Sequence, residues 1–346
     1  MIAVVIPCFK VSRQILDVIS RIGSECARIY VVDDACPEDS GQLIRNECDD
    51  PRVQVLKHST NQGVGGAVLT GYAAALADGA DVVVKLDGDG QMNPELIPQL
   101  IAPILAGEAD YTKGNRFYDI EGVRRMPGVR ILGNAGLSFL SKLSTGYWNV
   151  FDPTNGFTAI HANVLRVLPV HKLSRRWFFE SDMLFRLGLI RAVVQDMPMH
   201  ALYANEQSSL RVHRVLFVFL WSHMRNTFKR LFYNYFLRDF SVASLELLLG
   251  PTVLLFGLWV GITHWIAGSR TGEFASSGTV MLAALPVLTG TQLVLAFLGY
   301  DVRNIPTQAV HRRLAAALGT QARTSYANIA RWPRSQSRSP STTSRL

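Results

Sequence analysis

Cysteine, charge and targeting signals are all scarce in this chain of 346 residues. The four cysteines, Cys8, Cys26, Cys36 and Cys48, form no CxxC pair. That pattern speaks against a zinc site or a disulfide framework and for reduced thiols of a cytosol-facing domain. No basic segment precedes the first apolar run: Met1 leads straight into Ile2-Ala3-Val4-Val5-Ile6, which reads as a strand. The expectation is therefore no signal peptide and an amino-terminal domain that stays in the cytosol. The net charge is +8, yet no nucleic-acid motif or basic-aromatic groove accompanies it, which argues against a nucleic-acid partner. Arginine instead gathers from residue 211 onward, a distribution suited to anionic lipid headgroups.

Formal charge is missing altogether from two stretches, Leu247–Trp265 and Ala275–Tyr300. Each meets the requirement of about 20 apolar residues for a hydrocarbon core of about 30 Å. The linker Ala267–Phe274 carries Gly268, Arg270, Gly272 and Glu273, consistent with a tight hairpin. Basic residues flank the pair on the outside, from Arg225 to Arg238 and at Arg303, Arg312 and Arg313, with Arg270 alone between the spans. The positive-inside rule then places both termini in the cytoplasm, most simply at a bacterial inner membrane. The segment from Val212 to Phe240 interleaves aromatic and basic residues, as a helix lying in a membrane interface does. The tail beyond Arg334 is rich in serine and arginine and is expected to be disordered. The resulting division is a catalytic-type domain over 1–210, juxtamembrane helices over 211–240, two spans over 241–301 and a basic tail over 302–346. The spans also offer a surface for homo-oligomer formation.

Residues 1–115 alternate between short β-branched runs (Ile2–Ile6, Ile29–Val32, Val53–Lys57, Val82–Leu86) and helical segments (Arg13–Cys26, Gly41–Cys48, Gly65–Ala77, Pro94–Ala106). Such alternation predicts an α/β domain with a mostly parallel, Rossmann-like sheet. Beyond it, Gly133–Leu143 and Asp182–Leu189 read as helices, and Phe157–Ile160 and Ala192–Met197 as strands. Ligands of parallel sheets collect outside the carboxyl ends of the strands. Polar loops follow three of the first four runs, at Pro7–Lys10, Asp33–Ser40 and Asp87–Gln91.

Asp87-Gly88-Asp89 closes the fourth run. Two carboxylates around a small residue can hold Mg²⁺ or Mn²⁺ through oxygen ligands, and glycine there lets a diphosphate approach the backbone. A cation so placed offsets the charge that builds on a diphosphate leaving group.

Four motifs in order give the chain a family resemblance. Val4-Val5-Ile6-Pro7-Cys8-Phe9, Val31-Val32-Asp33-Asp34-Ala35-Cys36-Pro37-Glu38-Asp39-Ser40, Asn61-Gln62-Gly63-Val64-Gly65-Gly66-Ala67 and Leu86-Asp87-Gly88-Asp89-Gly90-Gln91 resemble the family 2 glycosyltransferases of GT-A fold. The similarity is to their polyprenyl-phosphate type, represented by dolichol-phosphate mannose synthase, and covers residues 1 to about 210. It implies that Pro7, Phe9, Val32 and Asp34 line a nucleoside pocket, Asp34 accepting a hydrogen bond from base or ribose. Asp87, with Gly88, contacts the nucleotide sugar, while Asp89 and Gln91 hold the metal. The glycines of 61–66 are better explained by a tight turn and close helix–sheet packing.

The resemblance also places Arg116, after Gly114-Asn115, and Arg130 near an acceptor phosphate, with Arg124 and Arg125 between them. Guanidinium groups can clamp phosphate oxygens bidentately. Asp182, in Phe179-Glu180-Ser181-Asp182, falls where many inverting relatives carry a general base. A phosphate monoester is already ionised at neutral pH, with a second pKa of about 6, so Asp182 can equally orient the acceptor or favour a helix start. Tyr203–Leu210, including Ser208, resembles a loop that closes over the diphosphate. Two departures concern the donor: Lys10 and Val11 replace the family's Asn-Glu, and Ser209 stands where lysine is frequent, with Arg211 nearby.

The expected activity is inverting transfer of a hexose, from a nucleoside-diphosphate sugar of the GDP-mannose or UDP-glucose class, to a polyprenyl phosphate. A processive polysaccharide synthase is the enzyme alternative. Its QxxRW motif is absent, since Arg176-Trp177 precede Asp182 and Leu173 replaces glutamine. An inactive nucleotide-sugar-binding anchor subunit is the third reading.

Overall fold

The computed structural model describes residues 1–118, 128–199 and 212–315. Among them, seven strands form one sheet in the order β3-β2-β1-β4-β6-β5-β7. The strands are β1 Ile2–Cys8, β2 Arg28–Asp33, β3 Val53–Lys57, β4 Val82–Lys85, β5 Tyr111–Asn115, β6 Thr158–His161 and β7 Val194–Pro198. Only β6 runs against its neighbours; the other pairings, β5 with β7 included, are parallel. Parallel strands need crossovers, and helices α1 Ile15–Ser20, α2 Ser40–Glu47, α3 Val64–Ala77 and α4 Ile97–Ala106 provide them.

The sequence runs explain this layering. Val4, Ile6, Val31, Val82 and Val84 face one apolar cluster with α1 and α4, while Ala3, Val5, Tyr30 and Val83 face the other with α3. Both faces are covered, so the strands read as continuous β-branched runs instead of alternating ones. α1 is shorter than the predicted Arg13–Cys26. β5 was not foreseen: Tyr-Thr-Lys-Gly-Asn contains a lysine and a glycine, yet all five residues are buried.

The second half adds α5 Gly128–Thr145, α6 Ala162–Val167, α7 Phe179–Leu189 and α8 Val212–Phe232, the last continuing as a π-helical turn over Tyr233–Arg238. Two long helices follow, α9 Val242–Thr271 and α10 Ser277–Arg303. They pack tightly on each other: a Cβ on Gly257 would stand 2.8 Å from the Val287 backbone nitrogen, and one on Gly290 would strike the Leu254 backbone. Small residues are what let two helical backbones approach so closely. Both helices are long and apolar enough to cross a membrane, with only 17% and 11% of their most apolar windows buried. Trp259, Trp265, Leu255, Leu288 and Leu295 stand exposed on their outer faces. An uncovered apolar surface of that extent is unlike the core of a soluble domain.

The foot of the hairpin is fastened to the sheet domain at two points. Arg230 of α8 donates to both carboxylate oxygens of Asp301 at 2.7 and 3.0 Å, and Trp148 and Tyr235 donate to the same carboxylate at 2.9 and 2.6 Å. Beyond α10, His311 donates through its backbone and pairs through Nδ1 with Asp110, each at 2.8 Å. Its ring stacks on His161 with centroids 4.2 Å apart.

Candidate active site

The carboxyl ends of β1, β2, β4 and β5 open on one edge of the sheet. The loop that leads into antiparallel β6 joins them there. Local sequence explains each approach. Gly63, at φ +85°, takes a backbone turn disfavoured for other residues and starts α3 beside the chain at Arg175. Gly90 has φ +74° and ends the acidic loop, which Asp89 closes by accepting the Gln91 backbone N–H at 3.0 Å. Asp87, Asp89 and Gln91 are half-buried at this edge. Gly88 has a different reason from the one expected. A Cβ there would point inward, 2.9 Å from Ile15 and 3.2 Å from Val11, so close packing on α1 excludes a side chain.

A buried lysine organises the acidic loop. Lys85, 1% exposed, sits 2.9 Å from Asp87 Oδ1 and 2.9 Å from Glu180 at the start of α7. Burial opposes its charge, but the two carboxylates outweigh that and hold its pKa above the ordinary lysine value. The Asp87 contact is an ion pair without hydrogen-bond alignment, which leaves Oδ1 unsatisfied in that sense. Gly156 completes the cluster, since a Cβ there would fall on Asp87 Oδ2 and Lys85 Nζ.

Arg116 lies at the end of β5, where Asp152 clamps it: Nε and Nη2 donate to the two carboxylate oxygens at 2.8 and 2.9 Å. Burial works against ionisation of Asp152, but Arg116 and Lys113 hold its pKa below the usual carboxylate range. Lys113 also donates to the Asp152 carbonyl oxygen. Asp152 and Gly156 belong to one loop, Asp152-Pro153-Thr154-Asn155-Gly156. A single short segment thus touches both the arginine and the acidic cluster.

Other expected site residues take part in the fold itself. The Asp34 carboxylate is committed within the fold: Oδ1 accepts from Gln62 N–H at 2.8 Å and meets His58 Nδ1 at 2.7 Å, and Oδ2 accepts from Gly63 N–H at 2.7 Å. Despite burial, these donors hold its pKa low. In the structure this carboxylate fixes the loop before α3. Asp33 similarly accepts from Cys36 and Gly41 N–H groups at 2.8 and 3.2 Å. Val32 is fully buried, paired with Pro7 across β1 and β2, so its side chain lines no open pocket. Phe9 is exposed and Pro7 half-buried at the same edge.

Asp182 is also consumed internally. It accepts from Ser174 N–H at 2.9 Å, from Arg186 Nε and Nη2 at 3.3 and 3.1 Å, and from Asn226 at 3.4 Å. These partners occupy the carboxylate, which is 3% exposed. The backbone of Arg130 lies in α5. Ser208, Ser209, Arg211, Arg124 and Arg125 lie outside the described residues.

Lys85, Glu180, Asp152 and Gly156 were missed. The Asp-Pro and Asn-Gly pairs of 152–156 are turn signals that mark a loop, but nothing local says what it touches. Glu180 is two residues from the aspartate that was singled out instead.

Residues 3–168 match the family model described as Glycosyl transferase family 2. An undecaprenyl-phosphate mannosyltransferase of Micrococcus luteus is 31% identical over 49% of this chain and 70% of its own length. A UDP-N-acetylglucosamine–dolichyl-phosphate N-acetylglucosaminyltransferase of Methanococcus voltae is 28% identical over 63% of this chain and 92% of its own. Among solved structures, glucosyl-3-phosphoglycerate synthase from Mycobacterium tuberculosis with phosphoglyceric acid superposes with a TM-score of 0.50. It is 19% identical over 66% of this chain and 79% of that one, a likeness of fold. With a GT-A sheet, an acidic loop at the end of β4 and this set of relatives, the chain belongs to glycosyl transferase family 2.

Proposed function

We propose that this glycosyltransferase moves a hexose from a nucleoside-diphosphate sugar to the phosphate of a membrane-embedded polyprenol, with inversion at the anomeric carbon. The observation that carries the reading is the acidic edge of the sheet joined to an apolar hairpin. A water-soluble donor and a bilayer-bound acceptor meet only on a molecule with both features. The named substrates of the relatives from Micrococcus luteus and Methanococcus voltae, undecaprenyl and dolichyl phosphates, support it.

Asp89 and Gln91 are the residues that would hold Mg²⁺ or Mn²⁺. No group of three or more His, Cys, Asp or Glu side chains suited to a metal occurs among the described residues. Two protein oxygens suit a cation whose other ligands are diphosphate and water, as is usual for Mg²⁺. When bound, the cation supplies Lewis-acid stabilisation of the departing diphosphate.

The chain's own residues do the rest. Asp87, oriented by Lys85, faces the donor, and Phe9 offers a ring against the base. Arg116, steadied by Asp152, and Arg130 receive the acceptor phosphate. That phosphate is itself the nucleophile, so positioning and charge stabilisation replace proton abstraction. This is why the sequestration of Asp182 does not obstruct the reading. The sheet domain and both termini lie on the cytoplasmic face, with the turn between α9 and α10 on the other. The tie of Asp301 and His311 to the sheet domain supports that placement of the hairpin foot.

The test is incubation of membranes carrying the protein with a panel of radiolabelled nucleotide sugars, followed by organic extraction. Label in the lipid phase from one donor is expected, and it identifies the sugar and the base. Label in an insoluble polymer would establish a processive synthase, and no incorporation from any donor would establish a non-catalytic subunit.

A further inference from the structure

A second site lies at the foot of the hairpin. Where α9 begins and α10 ends, a crevice of about 750 Å³ is lined by Val242, Glu246, Ala296, Tyr300, Arg303 and Asn304. Glu246 and Arg303 line the same space without pairing. Neither has an ion-pair or hydrogen-bond partner among the described residues. Close by, Arg230 is paired with Asp301. Two opposite charges left open on one crevice constitute a complementary pair of binding groups for something that carries both signs.

Position narrows the ligand. Given that the hairpin crosses a bilayer, the first turn of α9 and the last of α10 lie where hydrocarbon gives way to headgroups. Val242, Ala296 and the Tyr300 ring form an apolar wall, and Tyr300 belongs to the aromatic class that favours this depth. The amino end of α9, the positive end of its helix dipole, borders the same crevice.

We infer that this crevice binds a zwitterionic phospholipid bearing a primary amine, of the phosphatidylethanolamine class. Its phosphate meets Arg303 and the start of α9, and its ammonium meets Glu246. The primary amine matters, because it donates hydrogen bonds to a carboxylate and a quaternary choline does not. The site is separate from the acidic edge of the sheet, and the inference rests on the membrane reading of the hairpin, not on the identity of the donor or acceptor.

The experiment places the full-length protein in nanodiscs of equal phosphatidylethanolamine, phosphatidylcholine and phosphatidylglycerol. Lipids retained on release are then read by native mass spectrometry. The wild type should retain phosphatidylethanolamine preferentially. Glu246→Gln should remove the preference over phosphatidylcholine, a change of roughly tenfold if one charge-assisted hydrogen bond is lost. Arg303→Ala should lower retention of all three lipids. Indifference of both variants would overturn the inference, as would a preference for phosphatidylglycerol. Displacement of retained lipid by added polyprenyl phosphate would also overturn it by making this the acceptor's seat, and so would a lipid-free dimer with the crevice closed by a second copy. Because retention is measured without turnover, its failure is distinguishable from failure of the proposed transfer reaction.

Discussion

Arg230 and Asp301 meet side on, through two hydrogen bonds of 2.7 and 3.0 Å, each residue 3% exposed or less. Seventy-one positions apart, they join α8 to the last turn of α10. The desolvation of both charges is offset by further donors: Tyr235 and Trp148 serve the carboxylate, and the Leu143 carbonyl accepts from Arg230 Nε at 3.0 Å. Removing one partner leaves the other charge buried and unmatched, a loss of about 3–5 kcal/mol. Arg230→Ala should therefore lower the thermal midpoint of the detergent-solubilised protein sharply. Arg230→Met combined with Asp301→Leu should recover part of it. Equal midpoints for wild type and Arg230→Ala would show that the pair carries no stability.

The acidic loop gives a separable outcome. Asp89 is half-buried and tied to the fold through a local bond to the Gln91 N–H. Asp89→Ala should abolish transfer while circular dichroism still shows a folded sheet domain. Activity retained in Asp89→Ala would remove that residue from the cation site.

Gly156 and Lys85 address the same carboxylate from two sides. Gly156→Ala inserts a methyl group onto Asp87 and Lys85 and should reduce kcat by roughly a hundredfold or more, as small displacements at reacting centres do. Lys85→Met leaves Asp87 and Glu180 without their shared cation and should impair donor binding as well, seen as a raised KM for the nucleotide sugar. Unchanged KM in Lys85→Met, with a folded domain, would mean that the lysine serves stability alone.

Stability should also depend on pH through His223. Burial alone pushes its pKa down to about 4 from the ordinary 6.5, while Nδ1 meets Ser144 Oγ at 2.8 Å. The folded state therefore disfavours the protonated ring, and the unfolded chain binds the proton first. Its contribution is full above about pH 6.5 and is lost as pH falls toward 4, on the order of 3 kcal/mol across that window. Unfolding measured at pH 7.5 and 5.0 should show the loss, and His223→Gln should flatten the dependence. A slope that survives the substitution would assign it to other groups, His161 among them, whose pKa burial and His311 also lower to about 4.

The first four strands were legible because each is a run of β-branched residues followed by a polar loop, and a doubly covered parallel sheet imposes that pattern. The acidic loop was legible for the same reason: Asp87 and Asp89 stand where such a sheet presents its ligands. β5 was hidden because its Lys113 is buried and satisfied by carbonyl oxygens and Asp196, contacts that no local window contains. Asp34 and Asp182 also fasten the fold internally, through His58, Gln62, Gly63, Ser174 and Asn226, partners that spacing alone does not reveal. Lys85 and Glu180, 95 positions apart, acquire meaning only when α7 is laid against β4. Short-range spacing reports where a loop will be; it cannot report which side chain arrives from elsewhere to neutralise it.

Arg230 grips Asp301 at the foot of the hairpin and Asp110 grips His311 just beyond it, so on the proposed membrane placement the reaction centre is held at one height over the lipid surface. Its altitude is set by side chains. On the proposed reaction, an acceptor is then judged by the height at which its phosphate rides, so isoprenoids of different lengths with equal headgroups should serve alike.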